Sequence, residues 1–213
     1  MRKSEIIILT TILLSFALGV YFYPQMPEVM ASHWNIRGQV DGYMSKFWGV
    51  FLMPLIALFT YLVFVLVPKI DPLKENVKKF RIYFDRFIIL IIFFLFYVYL
   101  LSLSWNIGLR FDMGRLMMPA LGILLYYSGV LIKNSKRNWF IGIKNPWTLS
   151  NDIVWTKTHN LGGNLFKLIG VFAFFGVLIP EYAFFIVIFP LIAVVFITYI
   201  YSFIQYKKQF KKV

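Results

Sequence analysis

The stretch Phe87-Ile88-Ile89-Leu90-Ile91-Ile92-Phe93-Phe94-Leu95-Phe96-Tyr97-Val98-Tyr99-Leu100-Leu101-Ser102-Leu103-Ser104-Trp105 contains no charge, no Gly and no Pro. A hydrocarbon core roughly 30 Å thick is crossed by about 20 apolar residues in helical form. This stretch therefore reads as a transmembrane helix. Five more runs of the same kind lie around it, at residues 5–23, 47–67, 116–132, 165–179 and 183–206. None has an acidic residue in its interior. The run at 165–179 is short, so it either borrows residues 162–164 or tilts little. The expected fold is an all-α polytopic membrane protein with six transmembrane helices.

The basic residues fix the expected orientation. Arg2 and Lys3 precede the first run. Arg37 and Lys46 follow it, and six Lys and Arg lie between Lys69 and Arg86. Arg110 and Arg115 come next, then Lys133, Lys136, Arg137, Lys144, Lys157 and Lys167. The connection before residue 183 has none. Lys207, Lys208, Lys211 and Lys212 close the chain. Eighteen of the 22 thus fall on one set of alternate segments. Positive residues stay cytoplasmic, so both ends should face the cytoplasm of a cell-membrane protein.

Composition narrows the class. The chain has 213 residues, is 60% hydrophobic and 20% aromatic, and carries a net charge of +13. It reads as a single membrane domain, 1–213, with an outer-loop motif in 1–67 and a cytoplasmic motif loop at 133–163 in 68–213. Its lysines suit anionic lipid headgroups as partners. They are divided among loops rather than gathered on one face, which argues against direct nucleic-acid binding. Zero Cys excludes disulfides and thiolate ligands. Met1-Arg2-Lys3 resembles a signal-peptide start, but the apolar run is longer than a usual signal core, so a retained first span is expected.

The connection 71–80 reads as a turn and a short amphipathic helix on the inner surface, with Leu73, Val77 and Phe80 at helical spacing. Pro54, Pro119 and Pro190 lie inside spans, which membrane bundles tolerate. Gly162, Gly163, Gly170 and Gly176 suggest a fifth helix that its neighbours approach closely.

Two connections concentrate special residues. The outer one holds Pro24-Gln25-Met26-Pro27, His33-Trp34-Asn35-Ile36-Arg37-Gly38 and Asp41-Gly42-Tyr43. The two Pro favour a stiff, extended exit from the membrane. Gly38 and Asp41-Gly42 read as turn signals. His33, Trp34, Asn35 and Asp41 are expected in one polar cluster, which is either a ligand site or an ordered cap on the bundle. The inner one runs from Asn138 to His159. Asn145-Pro146 starts a turn, and Ser150 reads as the N-cap of a helix that puts Asp152 in its first turn. Asp152, Trp155, Thr156 and His159 then share one face, with Gly162-Gly163 ending the helix. That face is either a binding or catalytic surface, or an interfacial helix with a bonded His.

These motifs resemble a family. Pro-x-x-Pro, His-Trp-Asn, Gly and Asp-Gly-Tyr resemble the domain of unknown function that opens SdpI-like membrane proteins. Gly142-Ile143-Lys144-Asn145-Pro146-Trp147-Thr148-Leu149, Val154-Trp155 and Thr158-His159 resemble a second stretch of the same family, with Lys144 where Arg is expected. Lys keeps the charge and loses the bidentate fork. The resemblance implies an immunity protein against a secreted toxic peptide. In some members it also implies a receptor holding a transcriptional repressor at the membrane.

The outer ligand candidates are His33, Trp34, Asn35, Arg37, Gly38, Asp41 and Tyr43. The inner candidates, partner-binding or structural, are Asn138, Gly142, Lys144, Pro146, Trp147, Thr148, Asp152, Trp155 and His159. The alternatives are a membrane-embedded enzyme and a small-molecule or lipid transporter. His33 and His159 are the only His, and the charge pattern puts them on opposite sides, so a His-rich zinc site cannot assemble. No Gly-x-Ser-x-Gly signature is present. No ionisable residue sits mid-span as coupled transporters require. No metal or cofactor is expected.

Overall fold

A computed structural model describes residues 2–210. Met1 of the signal-like start, and Lys211 and Lys212 of the charge count, lie outside the described residues. The element order is α1 (Lys3–Phe22), β1 (Val29–Trp34), β2 (Val40–Ser45), α2 (Lys46–Ile70), α3 (Lys74–Lys79), α4 (Arg81–Asn106), α5 (Met113–Asn134), α6 (Pro146–Ser150), α7 (Asp152–Phe175) and α8 (Pro180–Phe210). Among the described residues, five helical stretches are long and apolar enough to cross a membrane: Lys3–Gln25, Lys46–Ile70, Arg81–Asn106, Met113–Asn134 and Pro180–Gln209. Large apolar side chains such as Leu13, Phe59, Phe189 and Phe196 stay exposed along them. That much exposed apolar surface suits lipid and not water.

α7 is the sixth long helix and is not among those five. Its first half carries Asp152, Lys157, His159 and Asn160, which lowers its mean hydropathy. Residues 165–175 of the short apolar run are thus the second half of a longer helix that begins at Asp152, and 176–179 lie beyond its end. Gly162-Gly163 does not end it. Glycine stops a helix where a left-handed residue is needed, whereas here both are packing contacts. A Cβ at Gly163 would stand 2.7 Å from the Gly129 carbonyl of α5, and one at Gly170 would stand 2.5 Å from the Tyr126 amide. α5 and α7 therefore lie backbone against backbone, as small residues permit in lipid.

The bundle has two halves. Ile8, Ile12, Ala57, Phe84, Ile88 and Ile92 join α1, α2 and α4. Met118, Leu125, Ile169, Ala173, Val187 and Val194 join α5, α7 and α8. α3 does not float on the surface, because Val77 and Phe80 are buried in the first core.

The two ends differ. At one, Arg2 Nη1 donates to both Asp85 oxygens at 2.9 and 2.7 Å. There too the Trp139 amide donates to Asp71 Oδ2 at 3.0 Å, and Lys157 reaches Gln205 at 3.1 Å. At the other end sits an antiparallel hairpin, β1–β2, which the reading as an all-helical chain did not foresee. Its pairs run from Val29↔Ser45 to Trp34↔Val40, with irregular register around His33. Asp41-Gly42 is consequently strand and not turn. The reversal is at 35–39, where Gly38 takes φ 72°, a conformation that costs glycine little. The proline-flanked exit is not uniformly extended either, since Tyr23–Gln25 continues α1 as a 3-10 turn.

Candidate functional site

The hairpin is held to the bundle by contacts that no local motif announces. Asn106, at the end of α4, acts as a third strand edge. Its Oδ1 accepts from the Ala31 amide at 2.8 Å, and its Nδ2 donates to the Ala31 carbonyl at 3.0 Å. Met30 is fully buried, pressed where Gly49 leaves room in α2. Trp34 lies edge-on to Trp105 at 5.6 Å. Asn35 Oδ1 accepts from the amides of Arg37 and Gln39 and closes the tip.

Successive strand residues point to opposite faces, so the expected polar cluster divides. His33 Nδ1 and Asp41 Oδ1 pair at 2.5 Å on an exposed face. Gly42 lets them approach, since a Cβ there would stand 2.8 Å from that of His33. Trp34 turns to the bundle, and Asn35 serves the turn. Arg37 and Tyr43 are exposed.

Between this tip and the first turns of α5 and α8 lies a cavity of about 480 Å³. His33, Trp34, Asn35 and Ile36 form one wall, and Met117, Met118, Ala183 and Phe184 face them. A further cavity of about 220 Å³ lies between Arg37, Gly38, Asp112 and Glu181. Asp112 also caps α5 by accepting from the Arg115 amide at 2.9 Å. The result is a groove with an apolar floor and charges of both signs at its mouth. Tyr43 and Asp41 line neither cavity. Ile36, Met117, Phe184 and Glu181 were not singled out, because ordinary apolar residues gain meaning only when the chain brings them together.

The inner motif is a knot tied around Asn138 and His159. Asn138 is fully buried. Its Oδ1 accepts from the amides of Phe140 and Ile141, and its Nδ2 donates to the carbonyls of Lys136 and Ile141. Trp155 Nε1 donates to the Ser135 carbonyl at 3.0 Å, and its ring stacks on that of His159 at 3.8 Å. His159 Nδ1 lies 2.8 Å from the Trp155 carbonyl, and Nε2 accepts the Ile143 amide at 3.0 Å. Nε2 is therefore the unprotonated nitrogen, and the ring is neutral. Burial pushes this imidazole down to about 4. Gly142, at φ 119°, passes so close that an added Cβ would stand 2.4 Å from Nε2.

α6 starts with Pro146 after an Asn145 cap that accepts from the amides of Trp147 and Thr148. Thr148 Oγ1 donates to the Ile143 carbonyl and accepts from the Asn145 amide. Asn145 Nδ2 donates to Ser202 of α8 at 2.8 Å, and Trp147 packs on Tyr199 and Phe203. The cap of α7 is Asn151 and not Ser150. Asn151 Oδ1 accepts from the amides of Ile153 and Val154. Ser150 ends α6, donating to the Trp147 carbonyl at 3.2 Å.

The expected face of α7 also divides: Trp155 and His159 are buried, while Asp152 and Thr156 are exposed. Asp152 lies 2.9 Å from Arg137 Nε, an ion pair without hydrogen-bond alignment. Lys144 is exposed and donates to the Phe140 carbonyl at 3.0 Å. Among the described residues, no group of three or more His, Cys, Asp or Glu is placed to hold a metal ion.

Residues 10–58 match the family described as "Domain of unknown function (DUF1648)". Residues 134–202 match the SdpI/YfhL protein family. The first match takes in the hairpin, and the second the inner knot with α7 and most of α8. The chain is 24% identical over 207 residues to "Immunity protein SdpI" of Bacillus subtilis (strain 168), covering 97% of each chain. No solved structure matches it. Two family matches in order and an alignment of nearly full length make this chain similar to the SdpI-like proteins along most of its length, and its long apolar helices make it a multi-pass cell-membrane protein.

Proposed function

We propose that this protein protects its cell from a secreted toxic peptide, which it captures in the groove between the hairpin tip and the starts of α5 and α8. The observation that carries the reading is the cavity of about 480 Å³ with Trp34, Ile36, Met117 and Phe184 on its walls. Arg37, Asp112 and Glu181 stand beside it. An apolar slot with a few convergent polar groups is the usual form of a ligand site, and Met and aromatic side chains adapt to apolar peptide surfaces.

In this reading the chain crosses the membrane six times, the apolar second half of α7 giving the fifth span in chain order, and both ends lie in the cytoplasm. The alternation of 18 against four basic residues supports that orientation. So does the gathering of Arg2, Asp71, Asp85 and Gln205 at one end and the hairpin at the other. The hairpin then faces outward and the knot inward. The inner motif contributes a scaffold whose exposed Trp139, Lys144 and Asp152 offer contacts to a cytoplasmic repressor. The reading is of a binding protein and not an enzyme. Both His159 nitrogens are committed to the backbone, and the relative it resembles is named an immunity protein.

The test is to challenge toxin-sensitive cells, with and without this gene, with a panel of secreted peptide toxins. Survival on at least one toxin only when the gene is expressed is the expected result. Identical killing curves across the panel would remove the immunity reading.

A further inference from the structure

A separate cavity lies at the opposite end of the molecule from the groove. It has about 250 Å³ and opens between α3, the loop after α5 and the first turns of α7. Lys79, Lys136 and Arg137 line it, and Asp152 is its only carboxylate. Three cations face one anion, and that anion is committed to one of them. Asp152 lies against Arg137 Nε, while Arg137 Nη1 donates to the Leu149 carbonyl at 3.0 Å. Lys79 is steadied by Asn76 Oδ1 at 3.2 Å. Asn76 in turn fixes the loop by donating to the Arg137 carbonyl at 2.9 Å. Lys136 is exposed, and its ammonium group makes no hydrogen bond or ion pair among the described residues. The buried Trp155 forms part of the wall. The start of α7 adds the positive end of its dipole.

We infer that this cleft binds a phosphate group, and that the phosphate belongs to an anionic phospholipid. The excess of positive charge selects an anion. The mixture of an Arg fork and two Lys point charges suits tetrahedral phosphate oxygens, which need no single plane. The setting selects lipid as the source. Trp139 and Phe140, in the same loop, are 51% and 41% exposed, the placement of an aromatic residue at headgroup depth. The apolar cores of α2, α4 and α5 begin beside them. The outer groove takes no part, and of the inner knot only Trp155 reaches the cleft. The headgroup would bridge α3 of the first half to α7 of the second, stapling the two halves at this end.

The experiment uses the full chain in nanodiscs of phosphatidylcholine alone or with increasing phosphatidylglycerol, and in phosphatidylcholine with inorganic phosphate added. Thermal unfolding and the lipid retained on the released protein are both read. Lys79→Gln/Lys136→Gln is compared with Lys69→Gln/Lys208→Gln, which removes the same charge from exposed positions outside the cleft. The expected result is a stabilisation that saturates with phosphatidylglycerol. Its midpoint should shift about tenfold for each cleft lysine lost, by the strength of a direct hydrogen bond to a charged group, and it should move clearly less for the control pair. Equal shifts in both pairs would reduce the effect to general surface charge and overturn the site. Saturation by inorganic phosphate without phosphatidylglycerol would overturn the lipid source. Phosphatidylglycerol that neither stabilises the protein nor stays bound would overturn the inference outright.

Discussion

Gly142 is the residue on which the inner knot turns. Its φ of 119° lies where only glycine is at ease, and its Cα rests against the His159 ring. Gly142→Ala should therefore destabilise the protein by about 2–3 kcal/mol, from backbone strain and the lost Ile143–His159 bond. A lower thermal midpoint and reduced folded yield in detergent would show it. His159 makes a separate prediction. It lies ahead of the apolar run at 165, and its folded pKa of about 4 is below the unfolded value of 6.5. The folded state thus prefers the neutral ring. Its stabilising contribution is complete above about 6.5 and disappears as pH falls towards 4. Thermal midpoints measured from pH 7.5 to 4 should fall over that window. His159→Gln, which keeps an acceptor for the Ile143 amide and removes the titration, should flatten the slope.

At the scale of elements, the hairpin is the part most open to local disruption. It owes its position largely to Asn106, whose side chain meets both polar groups of Ala31. Asn106→Ala leaves two part-buried backbone groups unpaired, at about 1–3 kcal/mol. Limited proteolysis should then cut near the hairpin in intact cells while the helices remain folded. α7 supplies the other element-scale prediction. Gly163→Val would press a branched side chain into the Gly129 carbonyl and the Lys133 side chain, so the α5–α7 pair should separate and folded yield should collapse.

The long helices were legible because an apolar run is a property of neighbours in sequence. The hairpin was not, because its 29–34 and 40–45 strands lack strict alternation and are fixed by Asn106 and Gly49 from far along the chain. The true cap at Asn151 was hidden by Ser150, an equally good cap one residue earlier. It was settled by α6, which uses Ser150 as its last residue. That Trp155 and His159 lie side by side on α7 was legible from their spacing. That Asp152 stays exposed was not, since a first-turn position on the same face already lies beyond the packed core. Of the groove only the hairpin side could be read, as its other walls come from distant segments at the starts of α5 and α8.

The whole molecule is two three-helix groups joined at α4 and α5, with an exposed groove at one end and a tight polar knot at the other. The two ends have no shared residues, so their roles should separate under mutation. Changes in the groove should abolish protection without altering stability. Changes in the knot should act through folding. The reading that the hairpin faces outward can be checked with reporter fusions after Lys46 and Arg115, expected outside, and after Lys79 and Lys144, expected inside. An inside signal at Lys46 would invert the molecule and move the groove away from any secreted peptide.

The central claim is that the groove carries protection. It is tested most directly by survival of toxin-challenged cells expressing the wild-type protein or Ile36→Asp/Phe184→Asp at matched membrane levels. Both positions are exposed and line the cavity, so the substitutions place charge on the slot and leave the packed cores untouched. The account predicts that the wild type protects and that the double variant dies like cells without the gene, with an unchanged thermal midpoint. Full protection by that variant would contradict it.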